Sequence, residues 1–312
     1  MKAVVTGAAG FIGSHVAESL TADGHEVVGI DCFTDYYPRA VKEENLRPLR
    51  ASTRFRLVEA RLQDVDLAPL LEGAAHVYHL AAQAGVRASW GREFSHYTDH
   101  NVLATQRLLE AAVAAGRPTV VYASSSSVYG EAPELPLRED SPCRPISPYG
   151  VTKLAAEHLA VLYHRNHGLP TVSLRFFTVY GPRQRPDMAF HRFLRAARDG
   201  EAVTVFGDGF QTRDFTYVAD VVAAVRQAPL SGRRGCVYNV GGGERVALNE
   251  VLRAVERITA RTLRIQRQEA QKGDMRDTFA DTTAARRDLG FRSTLSLAEG
   301  LEREWEWIRG TR

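Results

Sequence analysis

Cysteine, methionine and tryptophan are scarce, with three of each in 312 residues. Cys32, Cys143 and Cys236 are widely spaced and form no CxxC pair, which argues against a disulfide framework and a zinc site. No metal is expected. No stretch reaches the roughly 20 consecutive apolar residues of a membrane-crossing helix, so no membrane partner is expected either. Charge of one sign is also missing: 40 basic against 37 acidic residues give +3, and the basic ones are spread along the chain and form no arm. Nucleic acid is thereby an unexpected partner. There are no repeats or low-complexity tracts. Met1-Lys2 runs straight into strand-like Ala3-Val4-Val5, leaving no room for a signal peptide, and the expected location is the cytoplasm.

What remains is the composition of an ordinary soluble globule, 44% apolar and 25% charged. The length predicts a nucleotide-binding domain over residues 1–180 and a smaller lobe over 181–312, some of whose segments return to the first domain. Short β-branched runs recur at Val4-Val5-Thr6, Val27 to Ile30, Arg56-Leu57-Val58, Val77 to Leu80, Val120-Val121-Tyr122 and Val172 to Phe176. Between them lie helical patterns carried by Ile12, Val16 and Leu20, by Val102, Leu109, Ala112 and Val113, and by Leu154, Leu159 and Leu162. Strands alternating with helices predict parallel crossovers, hence an α/β fold with a doubly wound, Rossmann-like sheet. The segment Glu131 to Pro148 holds five prolines and reads as a long ordered loop over the sheet's C-terminal edge.

Gly7, Gly10 and Gly13, with Phe11 and Ile12 between the last two, follow the first strand and open the first helix. Glycines at this spacing permit a tight turn and close approach of a pyrophosphate, favoured by the helix N-terminus. The next strand ends in Asp31, where a carboxylate can accept from both ribose hydroxyls of an adenosine and would repel a 2′-phosphate. The expected cofactor is NAD and not NADP.

Tyr149 and Lys153 lie four residues apart at the start of a helical pattern after Pro148, so they share a face. A neighbouring ammonium and a cationic ring would stabilise the tyrosine's phenolate and make it a general base. Alone, such a pair is as readily a solvated surface pair. Its weight comes from Ser124-Ser125-Ser126-Ser127, directly after the fifth strand, where hydroxyls can donate to and accept from a sugar.

Six stretches, TGAAGFIGSH at 6–15, HLAAQAGVR at 79–87, SSSSVYG at 124–130, SPYGVTK at 147–153, LRFFTVYGPRQRPDM at 174–188 and GDGFQTRDFTYVAD at 207–220, occur in this order. Together they resemble the extended short-chain dehydrogenase/reductase family of NAD-dependent nucleotide-sugar epimerases and dehydratases, and within it the UDP-glucuronate 4-epimerases. The likeness runs from about residue 3 to about residue 281. It implies Ser125, Tyr149 and Lys153 as the catalytic trio. It also implies a cofactor site that adds Leu62, Leu80, Ala81, Ala82, Gln83, Asn101 and Ser124 to the glycines and Asp31, and it sets Arg213 and Arg276 near the diphosphate of a UDP-sugar. A homodimer is the implied assembly. One departure is Arg61, where the family usually has an acidic residue against the adenine; that contact would pass to backbone or to Asp64.

The family's 4,6-dehydratases carry Asp-Glu after the catalytic hydroxyl residue and its glucuronate decarboxylases a Glu at the second of these positions; here they are Ser126 and Ser127. Without an added acid or base, the expected fate of a 4-keto sugar is return of the hydride, which is epimerisation at C4. Thr178, where glucose epimerases have Asn, would complete with Ser126 and Ser127 a ring of hydroxyl donors for a C6 carboxylate, with Arg185 and Arg87 adding charge. The expected reaction is UDP-glucuronate to UDP-galacturonate. A glucose epimerase, a decarboxylase or dehydratase, a dehydrogenase that exchanges its cofactor and a non-enzymatic NAD(H) sensor are the alternatives.

Overall fold

The computed structural model describes residues 1–131 and 134–311; Ala132 and Pro133 of the proline-rich loop lie outside the described residues. Its strands are β1 Lys2–Thr6, β2 Glu26–Asp31, β3 Phe55–Glu59, β4 Ala74–His79, β5 Thr119–Ser125, β6 Thr171–Phe176, β7 Thr178–Tyr180, β8 Ala202–Phe206, β9 Thr212–Tyr217, β10 Cys236–Val240, β11 Arg245–Ala247 and β12 Arg264–Gln268. Seven form one sheet in the order β10-β6-β5-β4-β1-β2-β3, parallel throughout. The chain winds outward from β1 to β3, then crosses back to β4 on the other side of β1. That reversal opens a crevice at the C-terminal ends of β1 and β4, where such sheets bind ligands.

The β-branched runs form the inner strands because helices cover both sheet faces, so consecutive side chains are buried. β5 and β6 are buried at every position, whereas edge strand β3 leaves Leu57 exposed. β10 follows the helix Val218–Ser231 and adds to the main sheet beside β6, so the later part of the chain contributes to the first layer. A three-stranded sheet β11-β9-β7 and a pair β12-β8 lie apart from it. Among the described residues no helix is long and apolar enough to cross a membrane.

Helix Pro148–His167 departs from the sequence reading. It starts where expected, with the Ser147 hydroxyl accepting from the Gly150 N–H at 3.1 Å and proline in the first turn, and it ends at Gly168 with φ +64°. The Leu154, Leu159 and Leu162 stripe is only the margin of its core face, however: Leu154 and Leu159 are half-buried against hydrophobic clusters and Leu162 is exposed. The buried face carries Gly150, Thr152, Lys153, Ala156, Glu157, Ala160 and Tyr163. Polar side chains occupy it because each meets a partner or a cavity there, which hydrophobic periodicity does not register.

Candidate active site

After β1 the chain turns at Gly7, φ +70°, where a Cβ would stand 2.8 Å from the Ala81 nitrogen. A Cβ on Gly13 would overlap the Gly7 carbonyl oxygen. Both glycines are therefore required by backbone-on-backbone approach. Asp31 ties this loop to the segment after β2 by accepting from the Ala9 N–H at 3.0 Å and the Phe33 N–H at 2.8 Å. Burial pushes its carboxyl up, and those two N–H groups and Lys42 oppose that push.

The resulting cavity, about 210 Å³, is lined by Gly7, Gly10, Phe11, Ile12, Gly13, Asp31, Leu62, Leu80, Ala81, Ala82, Gln83, Ser124, Tyr149 and Lys153. These residues fit a dinucleotide: a floor without side chains under a phosphate, a carboxylate at one end and Tyr149 with Lys153 at the other. Asp31→Ser should cut dinucleotide retention by about 1–3 kcal/mol, the scale for a lost charged partner. The check is nicotinamide nucleotide released per protein after gel filtration and unfolding; a full complement from the variant would contradict it.

Arg61 does not face this cavity. It pairs with half-buried Asp99 and, at 3.4 Å, with exposed Asp64, and leaves Ala60, Leu62 and Gln63 to line the adenosine end. Asn101 also departs from expectation. It is buried, and its amide accepts from the Gln83 N–H at 2.7 Å while donating to the Gln83 carbonyl and the Thr152 hydroxyl at 3.0 Å. It therefore acts through Gln83, locking the loop after β4 to helix Pro148–His167. A second chain holds that loop. The Thr105 hydroxyl donates to the Asn101 carbonyl at 2.6 Å and so accepts from His79 Nε2–H at 2.9 Å; His79 Nδ1 then accepts from the Thr6 hydroxyl at 2.8 Å. Burial lowers His79 to about 3, so the ring is neutral as this chain requires.

Tyr149 sits at the first turn of its helix, and the absence of a Cβ on Gly150 lets the serine turn approach: a Cβ there would meet the Ser127 carbonyl at 2.5 Å. The Ser125 hydroxyl accepts from the Ser127 N–H at 3.1 Å, which directs its own proton away from that turn. Burial raises the Tyr149 phenol; the hydrogen bond from Ser125 and the Arg185 charge pull it back. Lys153 is buried with its Nζ 4.6 Å over the Tyr122 ring, and burial lowers it to about 7 against the pull of Glu157. Arg185 lines this cavity together with Tyr149 and Lys153, so a second cation stands in the wall that holds the tyrosine.

A second cavity, about 400 Å³, is lined among others by Arg87, Thr178, Arg185 and Arg213. Arg87 pairs with Asp274 at 2.7 Å and stacks 4.2 Å over the Phe206 ring. Arg213 donates to the Thr212 and Arg276 carbonyls at 2.9 and 3.0 Å, and burial lowers its pKa. Arg276 does not line this cavity; its guanidinium pairs with Asp208 at 3.0 Å on the surface. Ser126 is buried in the turn after β5 and Ser127 half-buried, and neither lines the cavity wall directly.

Sequence reasoning missed Tyr36, Tyr37 and Lys42 in the first cavity, although a tyrosine pair directly after the Asp31 strand was a usable signal. It also missed the support beneath the site. Glu157 accepts from the Ser124 hydroxyl at 2.6 Å and from Arg175 at 2.6 and 3.0 Å, and Arg175 donates onward to the Tyr129 hydroxyl at 2.8 Å.

Known proteins resemble this chain along nearly its whole length. A Bacillus subtilis protein named uncharacterized UDP-glucose epimerase YtcB is 45% identical, with 99% of this chain and 98% of that one covered. The UDP-glucuronate 4-epimerase of Thermodesulfobacterium geofontis is 36% identical over 98% of this chain and 95% of its own. Among solved structures, UDP-glucuronic acid 4-epimerase from Bacillus cereus, in complex with UDP-glucuronic acid and NAD, superposes with a TM-score of 0.96 at 42% identity, covering 99% of each chain. With residues 3–241 also matching the family's own model, the chain belongs to the NAD-dependent epimerase/dehydratase family.

Proposed function

We propose that this chain is a nucleotide-sugar C4 epimerase working through a 4-keto sugar, and that it interconverts UDP-glucuronate and UDP-galacturonate. The observation that carries the reading is Tyr149 as the proton-transfer group, beside Ser125, followed by Ser126 and Ser127 where an acid or base would be needed to send the keto sugar elsewhere. The names of the relatives support the class, and the substrate held by the B. cereus neighbour supports the uronate.

Tyr149 removes the proton from the C4 hydroxyl, and Ser125, whose oxygen already accepts from Ser127, donates to the tyrosine oxygen and stabilises its charge. NAD, held by the Gly7 to Gly13 turn and Asp31, would supply a reversible acceptor for the C4 hydride, so that oxidation and reduction cancel over a cycle. Gln83 and Leu80, fixed by Asn101 and His79, and the Gly7 turn fix the cofactor's place. Tyr149 then hands the proton back to the C4 oxygen of the epimer.

A 4-keto uronate is a β-keto acid and loses CO2 when its carboxylate stands perpendicular to the carbonyl. Thr178 and Arg185, both lining the sugar cavity, can fix another angle. Incubation with UDP-glucuronate deuterated at C4, followed by NMR, should give UDP-galacturonate with the label retained and no added NAD. Thr178→Ala should weaken uronate turnover by about 1–3 kcal/mol, spare UDP-glucose, and release a 4-keto pentose. Higher kcat/KM on UDP-glucose would overturn the uronate substrate but leave the C4 epimerase; label lost to solvent would overturn the hydride mechanism.

A further inference from the structure

Among the described residues, Tyr36 and Arg185 are the two that line both cavities. A guanidinium carries five N–H donors. Two of Arg185's are engaged: Nε donates to Asp187 Oδ1 and Nη2 to Asp187 Oδ2, each at 2.9 Å. Asp187 Oδ2 also accepts from the Tyr36 hydroxyl at 3.2 Å. The other three N–H donors have no acceptor among the described residues, on a side chain only 21% exposed. Unpaired donors on a sheltered cation form an edge suited to an anion. Tyr36 reaches this place because Gly85, φ +102°, has no Cβ, which would overlap the phenol oxygen.

We propose that Asp187 and Tyr36 are positioning residues that hold the Arg185 guanidinium by one edge, present its other edge where the two cavities meet, and so determine a preference for a sugar with an anionic C6 over a neutral one. The specificity half of this rests on the uronate reading above; the positioning half does not.

The same clamp keeps Arg185 in the cavity wall that it shares with Tyr149. The other titratable groups around this pair are Tyr36 and Tyr37 after β2, Tyr97 with its ring 6.2 Å from that of Tyr149, Tyr122 on β5, Lys153 on the same helix and His191 on helix Ala189–Asp199. Burial raises the tyrosines and lowers His191 to about 4, so all of these are neutral near pH 7 except Lys153, which burial lowers to about 7. Burial pushes Asp187 up, but the Arg185 charge and the hydrogen bonds from Arg185 and Tyr36 outweigh it and keep the carboxyl below its usual range. The clamp is therefore a fixed ion pair.

Asp187→Asn, Tyr36→Phe and Asp187→Glu, each as intact holoenzyme, are to be compared for kcat/KM on UDP-glucuronate and UDP-glucose and for the pH dependence of kcat. Positioning and simple charge balance predict opposite signs. Removing a negative charge would by Coulomb attraction alone strengthen Arg185's hold on an anion, raise the uronate preference and move the acid limb, set by Tyr149, to lower pH. Loss of position predicts a uronate-to-glucose ratio reduced about tenfold and an acid limb at higher pH, because the cation is no longer held in the wall that it shares with Tyr149. Tyr36→Phe leaves the charge untouched and should lower the ratio by about threefold, the scale of one neutral hydrogen bond. Asp187→Glu should restore part of it. A ratio in Asp187→Asn that is unchanged or raised overturns the proposal. If the parent enzyme epimerises UDP-glucose but not UDP-glucuronate, the uronate reading and the specificity claim fall together. The acid limb on UDP-glucose then decides the positioning claim: an upward shift supports it, and an unchanged or downward limb overturns it.

Discussion

Tyr149→Phe should keep its fold and its dinucleotide while turnover falls by roughly 10² to 10⁴-fold, the usual contribution of a general acid–base group. The change removes one oxygen from a well-packed ring, so neither cavity nor clash arises, and Tyr97 can still meet the ring edge-on. Ser125 loses an acceptor, yet its oxygen continues to accept from the Ser127 N–H. What disappears is the phenol that Ser125 pulls toward ionisation against its burial. Turnover of UDP-glucuronate with bound NAD quantified in the same sample checks this. A variant running at the parent rate would remove Tyr149 from the mechanism, and one that had also lost its NAD would leave the rate uninterpretable as proton transfer until retention was restored with excess cofactor.

The sheet and the glycine turn were legible because their physical requirements are local. Buried parallel strands need continuous β-branched runs, such as Val120-Val121-Tyr122, and Gly13 is forced by close approach to the Gly7 carbonyl, six residues earlier in the same turn. Tyr149 and Lys153 were legible because helical spacing puts them on one face. What could not be read was which polar residues pair across the sequence. Arg185 was visible as a charge, but its clamp depends on Tyr36, 151 positions from Asp187. Asn101, which the resemblance sets near the cofactor, is bonded to Gln83 and Thr152, partners 18 and 51 positions away. Helix Pro148–His167 misled in the opposite sense: Leu162 is exposed and Leu154 and Leu159 only half-buried, because the fully buried side holds the chemistry and its counter-charges.

Those counter-charges lead to the second large effect. Glu157→Gln should destabilise the protein by about 3–5 kcal/mol, the cost of leaving one partner of a buried ion pair uncompensated. Glu157 and Arg175 are 2% and 5% exposed, and the guanidinium meets both carboxylate oxygens. Its remaining contacts, the Tyr129 hydroxyl and the Glu139 carbonyl at 3.1 Å, are neutral and cannot balance its charge. A double change to methionine at both positions removes charge and counter-charge together and should therefore cost less than Glu157→Gln, although it strands the Ser124 hydroxyl. Catalysis should respond separately. Lys153, one helical turn away, is lowered to about 7 by burial and supported by the Glu157 carboxylate. Without that carboxylate its ammonium loses its proton more readily, and the basic limb of the kcat profile should move to lower pH. Urea unfolding and a pH profile on the same preparation test both claims. Stability within 1 kcal/mol of the parent would show that Arg175 finds another anion or water once Glu157 is neutral, and an unmoved basic limb would show that Lys153 is held charged by something other than Glu157.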